Sequence, residues 1–213
     1  MTKKNKKTLL VEGECDKRII PFLIEQSGTM WKQNNTPITN IISLGGIENI
    51  LQTDIKTFWQ ESDLTSLGLI VDADEFPLNR WNEVRNLCSK AIPNIPQIIP
   101  NGGLIVEHDG KKFGIWIMPD NCLQGMIETF LGYLVPNQDE NFIWQLAQCV
   151  VAQAKKTGAP FKTVHTDKAH IHTWLAWQDE PGRQLHEAIK FKLLDPSCAA
   201  AQNFVNWFRT LYL

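Results

Sequence analysis

The sequence predicts an α/β protein whose mainly parallel sheet is flanked by helices. Two observations support this fold class: short apolar runs typical of buried strands alternate with longer segments of helical periodicity, and two of the runs end abruptly in carboxylates. Up to about residue 90 the order is strand, helix, strand, helix, strand, helix, which is typical of a parallel sheet. The chain has 213 residues, 43% of them hydrophobic, and can therefore bury a sizeable core.

The first part of the chain is predicted to contain three strands and three helices. The strands cover residues 8–11, 38–44 and 66–71, and the helices cover residues 16–26, 47–59 and 79–90. Gly28 ends the first helix. Pro21 falls inside that helix, so we expect either a kink at Pro21 or a helix that starts close to it. Gly45 and Gly46 form the turn between the second strand and the second helix.

The later part of the chain changes character. Residues 104–108 and 113–118 are predicted to form a β-hairpin around the turn Asp109-Gly110. Helical segments dominate the rest, at residues 121–134, 141–156, 167–178, 182–191 and 197–211. We expect an α/β core over residues 1–135 and a helical C-terminal layer over residues 136–213. The two should form one compact unit, because no linker of disordered composition separates them.

Composition gives broad limits on location and partners. The net charge of −2 argues neither for nor against binding to nucleic acid, because local basic patches are averaged out. The run Lys3-Lys4-Asn5-Lys6-Lys7 is interpreted as a solvated N-terminus or, alternatively, as a tail that contacts phosphate. Five cysteines without a CxxC pair indicate reduced thiols, and no apolar window is long enough to span a membrane. We therefore expect a cytoplasmic protein without a membrane partner.

Carboxylates follow two of the predicted strands. Glu12 and Asp16 come after the first strand, and Asp72 and Asp74 come after the third. The carboxyl ends of parallel strands meet at one edge of the sheet, where α/β folds build their sites. Carboxylates that converge there repel one another unless a cation lies among them, and oxygen ligands of this type favour Mg²⁺ or Mn²⁺ over zinc. The alternative is a structural role, as charges at a helix N-terminus or in a solvated turn.

A thiol lies inside the first acidic segment. Cys15 is flanked by Glu14 and Asp16. These negative charges should raise the pKa of the thiol, which disfavours a role as a nucleophile.

The two acidic segments together resemble the motifs of the Toprim domain, which topoisomerases, primases and OLD-type nucleases share. The matching residues are Glu12-Gly13-Glu14-Cys15-Asp16 and Asp72-Ala73-Asp74. Residues 114–121, 125–128 and 168–178 are similar to a bacterial Toprim-related family of uncharacterised function. The resemblance therefore covers nearly the whole chain and implies a Toprim-like fold.

The resemblance also implies roles for individual residues. Glu12 would be the general acid or base, or a metal ligand. Asp72 and Asp74 would bind the divalent ion, and Asp16 would complete a second metal position.

Two further residues acquire roles in the same way. Glu128 resembles an additional metal-binding carboxylate of OLD-type nucleases, and Lys168 resembles a lysine that could stabilise charge on the reacting phosphate. An exposed helix carboxylate and a surface lysine remain the alternative interpretations.

The resemblance favours a Mg²⁺- or Mn²⁺-dependent nuclease that cleaves phosphodiester bonds, in bacterial defence or DNA repair. Nucleic acid is then the expected partner. An ATPase is a second candidate partner, because OLD-type Toprim units are often fused or paired with ATPases and this chain has no Walker A motif. The alternative function is a non-catalytic Toprim-like module that binds such an ATPase and is regulated by it. A topoisomerase is less well supported, because only Tyr133 and Tyr212 could supply its nucleophilic tyrosine.

Overall fold

The central sheet of the protein is mainly parallel. The computed structural model describes residues 6–213. Its strands are β1 (Lys6–Val11), β2 (Lys32–Gln33), β3 (Thr36–Pro37), β4 (Asn40–Ser43), β5 (Leu64–Asp72), β6 (Leu104–His108) and β7 (Lys111–Met118). Five of them form one sheet in the order β4-β1-β5-β7-β6, in which only β6 is antiparallel to its neighbour, and β2 and β3 form a separate antiparallel pair. The predicted α/β class is confirmed.

Helices cover both faces of this sheet. They are α1 (Glu14–Gln26), α2 (Ile47–Gln52), α3 (Ile55–Trp59), α4 (Pro77–Cys88), α5 (Ile127–Tyr133), α6 (Phe142–Lys156), α7 (Thr166–Leu175), α8 (Leu185–Lys190) and α9 (Ala199–Tyr212). The predicted hairpin is present, and both of its strands belong to the central sheet. Helix α1 begins at Glu14 and continues through Pro21.

Two predicted helices were wrong in extent. The segment 47–59 is divided into α2 and α3, because the Asp54 side chain caps the second helix by accepting a hydrogen bond from Lys56 N at 3.0 Å. The segment 121–134 is helical only from Ile127 onward. Asn121 has a φ of 66° and Gly125 a φ of 134°, which are values that an α-helix does not contain.

The sequence analysis also missed the small β2–β3 sheet. Asn34 and Asn35 connect these strands with φ values of 48° and 61°. Positive φ at both central residues is typical of a two-residue hairpin turn, and Asn adopts it more readily than most residues.

The alternation of side chains along the strands produces one core on each face of the sheet. One core lies against α1 and the C-terminal helices and includes Leu9, Val11, Ile70, Trp116 and Met118. The opposite core, on the side of α2, α3 and α4, includes Leu10, Leu69, Val71, Ile115 and Ile117. Because successive residues point to opposite faces, the central strands read as continuous apolar runs.

The last helix, α9, packs closely on the sheet. Trp207 Nε1 donates a hydrogen bond to Leu104 O at 2.9 Å, and the Tyr212 hydroxyl donates one to Thr8 O at 2.8 Å. Gly68 in β5 permits this approach, because a Cβ at that position would collide with the Tyr212 hydroxyl. The C-terminal layer is therefore hydrogen-bonded directly to β1 and β6 and packs closely on β5.

The structure describes the last two residues of the predicted basic run. Lys6 and Lys7 begin β1, and Lys6 Nζ lies 2.5 Å from Glu61 Oε2. Residues 3–5 of that run lie outside the described residues. Over residues 6–213, no helix combines the length and the apolar character needed to cross a membrane.

Candidate acidic site at the carboxyl edge of the sheet

Two neighbouring parallel strands place their acidic segments side by side. In the register of β1 and β5, Val11 is opposite Ile70, so Glu12 lies beside the end of β5. Glu12 Oε2 accepts a hydrogen bond from Asp72 N at 3.3 Å. The backbone geometry of a parallel sheet thus joins two segments that are 60 residues apart in sequence.

The turn from β1 into α1 positions Asp16. The Asp16 carboxylate accepts a hydrogen bond from Gly13 N at 2.7 Å and is only 5% exposed. A side chain at position 13 would crowd this contact, because a Cβ on Gly13 would lie 3.1 Å from Asp16 Oδ2. The small residue in the motif therefore lets the carboxylate fold back over the helix N-terminus.

Helices α5 and α7 complete the site from the other side. Ile127 N, at the start of α5, donates a hydrogen bond to Asp72 Oδ1 at 3.0 Å. The next residue, Glu128, is 3% exposed, and Lys168 Nζ on α7 lies 2.8 Å from its Oε1 atom. The alternative interpretation of Glu128 as an exposed helix carboxylate was wrong.

One cavity gathers all six residues that the sequence analysis selected. It has a volume of about 290 Å³, and the six are Glu12, Asp16, Asp72, Asp74, Glu128 and Lys168. His165, which the sequence analysis did not select, also lines this cavity.

Arg80 on α4 is a second residue that the sequence analysis missed. Its Nη2 lies 2.6 Å from Asp74 Oδ2, and its Nε donates a hydrogen bond to Asp72 O at 2.8 Å. Asp74 has a φ of 53°, and its backbone pairs with that of Gly125. Arg80 therefore fixes the end of the Asp-x-Asp segment. A cation in the first turns of the helix that follows this segment was the available sequence signal.

Burial and mutual repulsion make the carboxylates hard to ionise. Burial raises the pKa of Asp16 to about 7, with a further contribution from the charges on Glu12 and Glu128. Burial also raises the pKa of Asp72 well above its usual value, with Asp16 and Glu12 as the strongest repelling neighbours. The pKa of Glu12 is raised for the same main reason. Near neutral pH the cluster is therefore poised to take up positive charge, either as protons or as a cation.

The pKa values of the neighbouring Cys15 thiol and Lys168 ammonium group are also raised, the first mainly by burial and the second mainly by a hydrogen bond. Burial raises the pKa of Cys15 to about 11, and the charges of Glu128 and Asp16 add to this effect. This confirms the predicted direction and disfavours a nucleophilic thiolate. The hydrogen bond to Glu128 raises the pKa of Lys168, so this lysine carries its positive charge at neutral pH.

The carboxylates are engaged with protein partners as they stand. Within residues 6–213, no group of three or more His, Cys, Asp or Glu side chains is arranged to hold a metal ion. The hydrogen bonds give the physical reason: Asp16 and Asp72 accept from backbone N–H groups, while Asp74 and Glu128 contact cationic side chains. An ion that bound here would have to compete with these contacts.

A larger, more basic cleft adjoins the acidic cavity. It has a volume of about 450 Å³ and shares Cys15, Glu128 and Lys168 with the acidic site. Arg18 on α1 and Arg183 before α8 add positive charge to its wall. The sequence analysis did not identify this cleft, because its cationic residues come from segments far apart in the chain.

The fold and this site define an α/β protein with a carboxylate cluster at the carboxyl edge of a parallel sheet. The chain belongs to the family described as "Protein of unknown function (DUF3226)", whose model matches residues 6–213. No curated protein and no solved structure matches the chain significantly.

Proposed function

We propose that this protein is a Toprim-class nuclease that depends on Mg²⁺ or Mn²⁺ and hydrolyses phosphodiester bonds. One observation carries the proposal: five carboxylates from three separate segments line a single cavity beside a charged lysine. Structural carboxylates are ordinarily exposed or paired with cations, whereas the buried Asp16 and the half-buried Asp72 lie among other acids.

The chemistry of the donor set fits a hard divalent cation. All five acidic side chains offer carboxylate oxygens, which Mg²⁺ and Mn²⁺ prefer, and the pKa values of Glu12, Asp16 and Asp72 are raised by burial and, to a smaller extent, by the neighbouring acids. Each of Asp16 and Asp72 has one oxygen in a backbone hydrogen bond, which leaves the second oxygen for an ion. Binding of an ion would require the side chains of Asp16 and Asp72 to move and the contact between Asp74 and Arg80 to change.

Glu12 and Lys168 would have separate roles in hydrolysis. A bound divalent ion supplies a Lewis acid that activates water and neutralises phosphate charge. Glu12 lines the cavity and has a raised pKa, which suits a group that accepts a proton from water. Lys168 holds a positive charge beside Glu128, where it can stabilise the negative charge that builds up on the reacting phosphate.

The basic cleft supports nucleic acid as the substrate. Arg18 and Arg183 line the cleft that opens from the acidic cavity, and Lys168 belongs to both. A strand that lay in the cleft could place one phosphate near the carboxylates and its neighbours near the two arginines. The cytoplasmic location is part of this proposal and rests on the five cysteines without a CxxC pair. The setting in bacterial defence or DNA repair is also part of it and rests on the resemblance to OLD-type nucleases.

A second candidate function is a non-catalytic module that binds an ATPase and is regulated by it. The observation that favours it is the absence, within the described residues, of three metal-ligating side chains already arranged around one point. In that case Arg80, Lys168 and the backbone N–H groups would be the permanent partners of the carboxylates.

Cleavage assays with matched variants distinguish the two functions. Supercoiled plasmid, single-stranded DNA and RNA are incubated with the purified protein and Mg²⁺ or Mn²⁺. The nuclease proposal expects cleavage by the wild type and by Glu25→Gln, an exposed position on α1, but none by Glu12→Gln. Isothermal titration with Mn²⁺ measures ion binding independently of activity. Absence of both Mn²⁺ binding and cleavage, with a co-expressed ATPase as well as alone, would refute the nuclease and favour the module.

A further inference from the structure

Helix α6 has apolar residues on two faces, one buried and one exposed. Trp144, Ala147 and Val151 are buried, and the Trp144 ring packs edge-on against Trp174 of α7 at a centroid distance of 6.1 Å. The other face carries a second apolar stripe that is open to solvent. Its members and their exposed fractions are Phe142 at 80%, Ile143 at 45%, Leu146 at 50% and Val150 at 43%.

The spacing of these residues makes the stripe continuous. Phe142, Leu146 and Val150 are each four residues apart, and Cys149 lies exposed beside them. A helix that only packed on α7 would carry polar residues there. No charged residue interrupts the stripe, since residues 141–154 contain no Asp, Glu, Lys or Arg. Four large apolar side chains on one helix face, without a charge among them, indicate a surface that another molecule covers.

The two ends of the stripe carry opposite charges. Asp139 precedes α6 and Lys156 is its last residue. At 100° per residue, the helical rotation places Lys156 on the side of Phe142 and Leu146. Lys155 points elsewhere and lies over the Phe161 ring, 4.7 Å from its centroid. Within the described part of the chain, neither Asp139 nor Lys156 has an ion-pair partner within 4.0 Å.

We propose that this face of α6 is a homodimer interface, in which α6 packs antiparallel against α6 of a second copy of the chain. A two-fold axis near the midpoint between Asp139 and Lys156 brings each Asp139 to Lys156 of the other copy. The same axis sets Leu146 against the Cys149 region of the second helix. Antiparallel packing also aligns the helix dipoles favourably. A parallel pairing would instead place like charges together, so the charge pattern selects the antiparallel dimer.

The geometry also limits the strength of the dimer. A helix of 15 residues is about 22 Å long, and one helix pair of that length buries less than the roughly 1,200 Å² of a standard stable interface. We therefore expect a dissociation constant on the order of 1–10 µM. This inference is independent of the proposed nuclease activity, because α6 lines neither the acidic cavity nor the basic cleft.

Sedimentation equilibrium of the full chain tests the interface. The wild type should change from monomer to dimer between about 0.1 and about 100 µM. Leu146→Glu should raise the dissociation constant at least about 100-fold, because it buries a charge at the centre of the contact. Ile98→Glu is the matched control: Ile98 is 80% exposed elsewhere on the protein, and its substitution should leave the dimer unchanged.

A charge exchange tests the pairing itself. Lys156→Glu should weaken the dimer about tenfold, and Asp139→Lys combined with Lys156→Glu should restore it, because the exchanged pair has the same geometry. Asp139 and Lys156 are exposed, so their substitution should not disturb the fold. The charge exchange therefore tests the interface even if Leu146→Glu lowers the melting temperature. A wild type that is monomeric throughout the concentration range, a dimer that survives Leu146→Glu, or an exchange that does not rescue would each overturn the proposed interface.

Discussion

Replacement of Asp16 by Asn is expected to stabilise the metal-free protein at alkaline pH. Asp16 is buried, and its pKa is raised from 3.8 to about 7. The folded state therefore binds its proton more tightly than the unfolded state does. Below pH 3.8 both states are protonated and no effect remains. As the pH rises toward 7 the unfolded state ionises first, so stability falls with rising pH.

The size of the effect follows from the two pKa values. A difference of about 3 between them corresponds to a destabilisation of about 4 kcal/mol at pH 8. Asn keeps an oxygen that can accept the hydrogen bond from Gly13 N, but its buried amide N–H groups cost about 1–2 kcal/mol if they find no acceptor. The expected net gain is about 2–3 kcal/mol at pH 8. At pH 4 the charge contribution falls to about 0.6 kcal/mol, which is less than the amide cost, so the variant should be slightly less stable than the wild type.

Urea unfolding in EDTA at pH 4, 6 and 8 measures this difference. Glu25→Gln on the exposed side of the same helix is the control and should follow the wild type at each pH. The difference in free energy of unfolding between Asp16→Asn and the wild type should favour the variant at pH 8, and this difference must grow with pH. A variant that is less stable than the wild type by the same amount at all three values would show that the Gly13 contact, rather than charge repulsion, dominates at this position.

Three further expectations follow from the same structure. Mg²⁺ or Mn²⁺ should raise the melting temperature of the wild type, because an ion binds only the folded cluster, and the double variant Asp72→Asn, Asp74→Asn should lose this response in calorimetry. Lys168→Ala should slow cleavage by a factor of about 100 or more in single-turnover assays, while Mn²⁺ titration shows ion binding retained or strengthened because Glu128 is freed. Gly68→Ala should destabilise the fold by about 2–3 kcal/mol in urea, because the new methyl group collides with the Tyr212 hydroxyl and lies 2.9 Å from a Leu9 methyl group.

Local patterns in the sequence predicted the sheet and much of its surroundings. Apolar runs such as 66–71 are long enough to identify a buried strand, and the carboxylates that end them mark the edge where a site forms. Boundaries that depend on a single side chain were missed. The break between α2 and α3 depends on whether Asp54 caps a helix, and the same residue would be acceptable in a continuous helix with an exposed face.

The residues of the candidate site that lie at or just after the end of a strand could be predicted from strand patterns in the sequence, and those on later helices could not. Glu12 directly follows β1 and Asp72 ends the neighbouring parallel strand β5, so topology alone brings them together. Glu128 and Lys168 are 40 residues apart on two helices, and no spacing rule joins them; only the resemblance to Toprim proteins selected both. Arg80 was missed because an arginine on an amphipathic helix is usually solvated, so its place in the first turns of the helix after Asp74 was only a weak signal.

The electrostatics of the site bear on the choice between nuclease and module. A module that only bound a partner through its surface would gain nothing from ionisable groups clustered in this cavity. Asn or Ser could accept the same backbone hydrogen bonds as Asp16 and Asp72 without the cost of burying a charge, which is the main cause of the raised pKa of both carboxyls, and without the added repulsion. Clustered acids that lower the stability of their own fold are typical of functional sites, because the same negative field that opposes folding attracts a cation. The contacts of the carboxylates explain why residues 6–213 hold no metal-ligand set that is already arranged. The cost of keeping these carboxylates charged favours the nuclease.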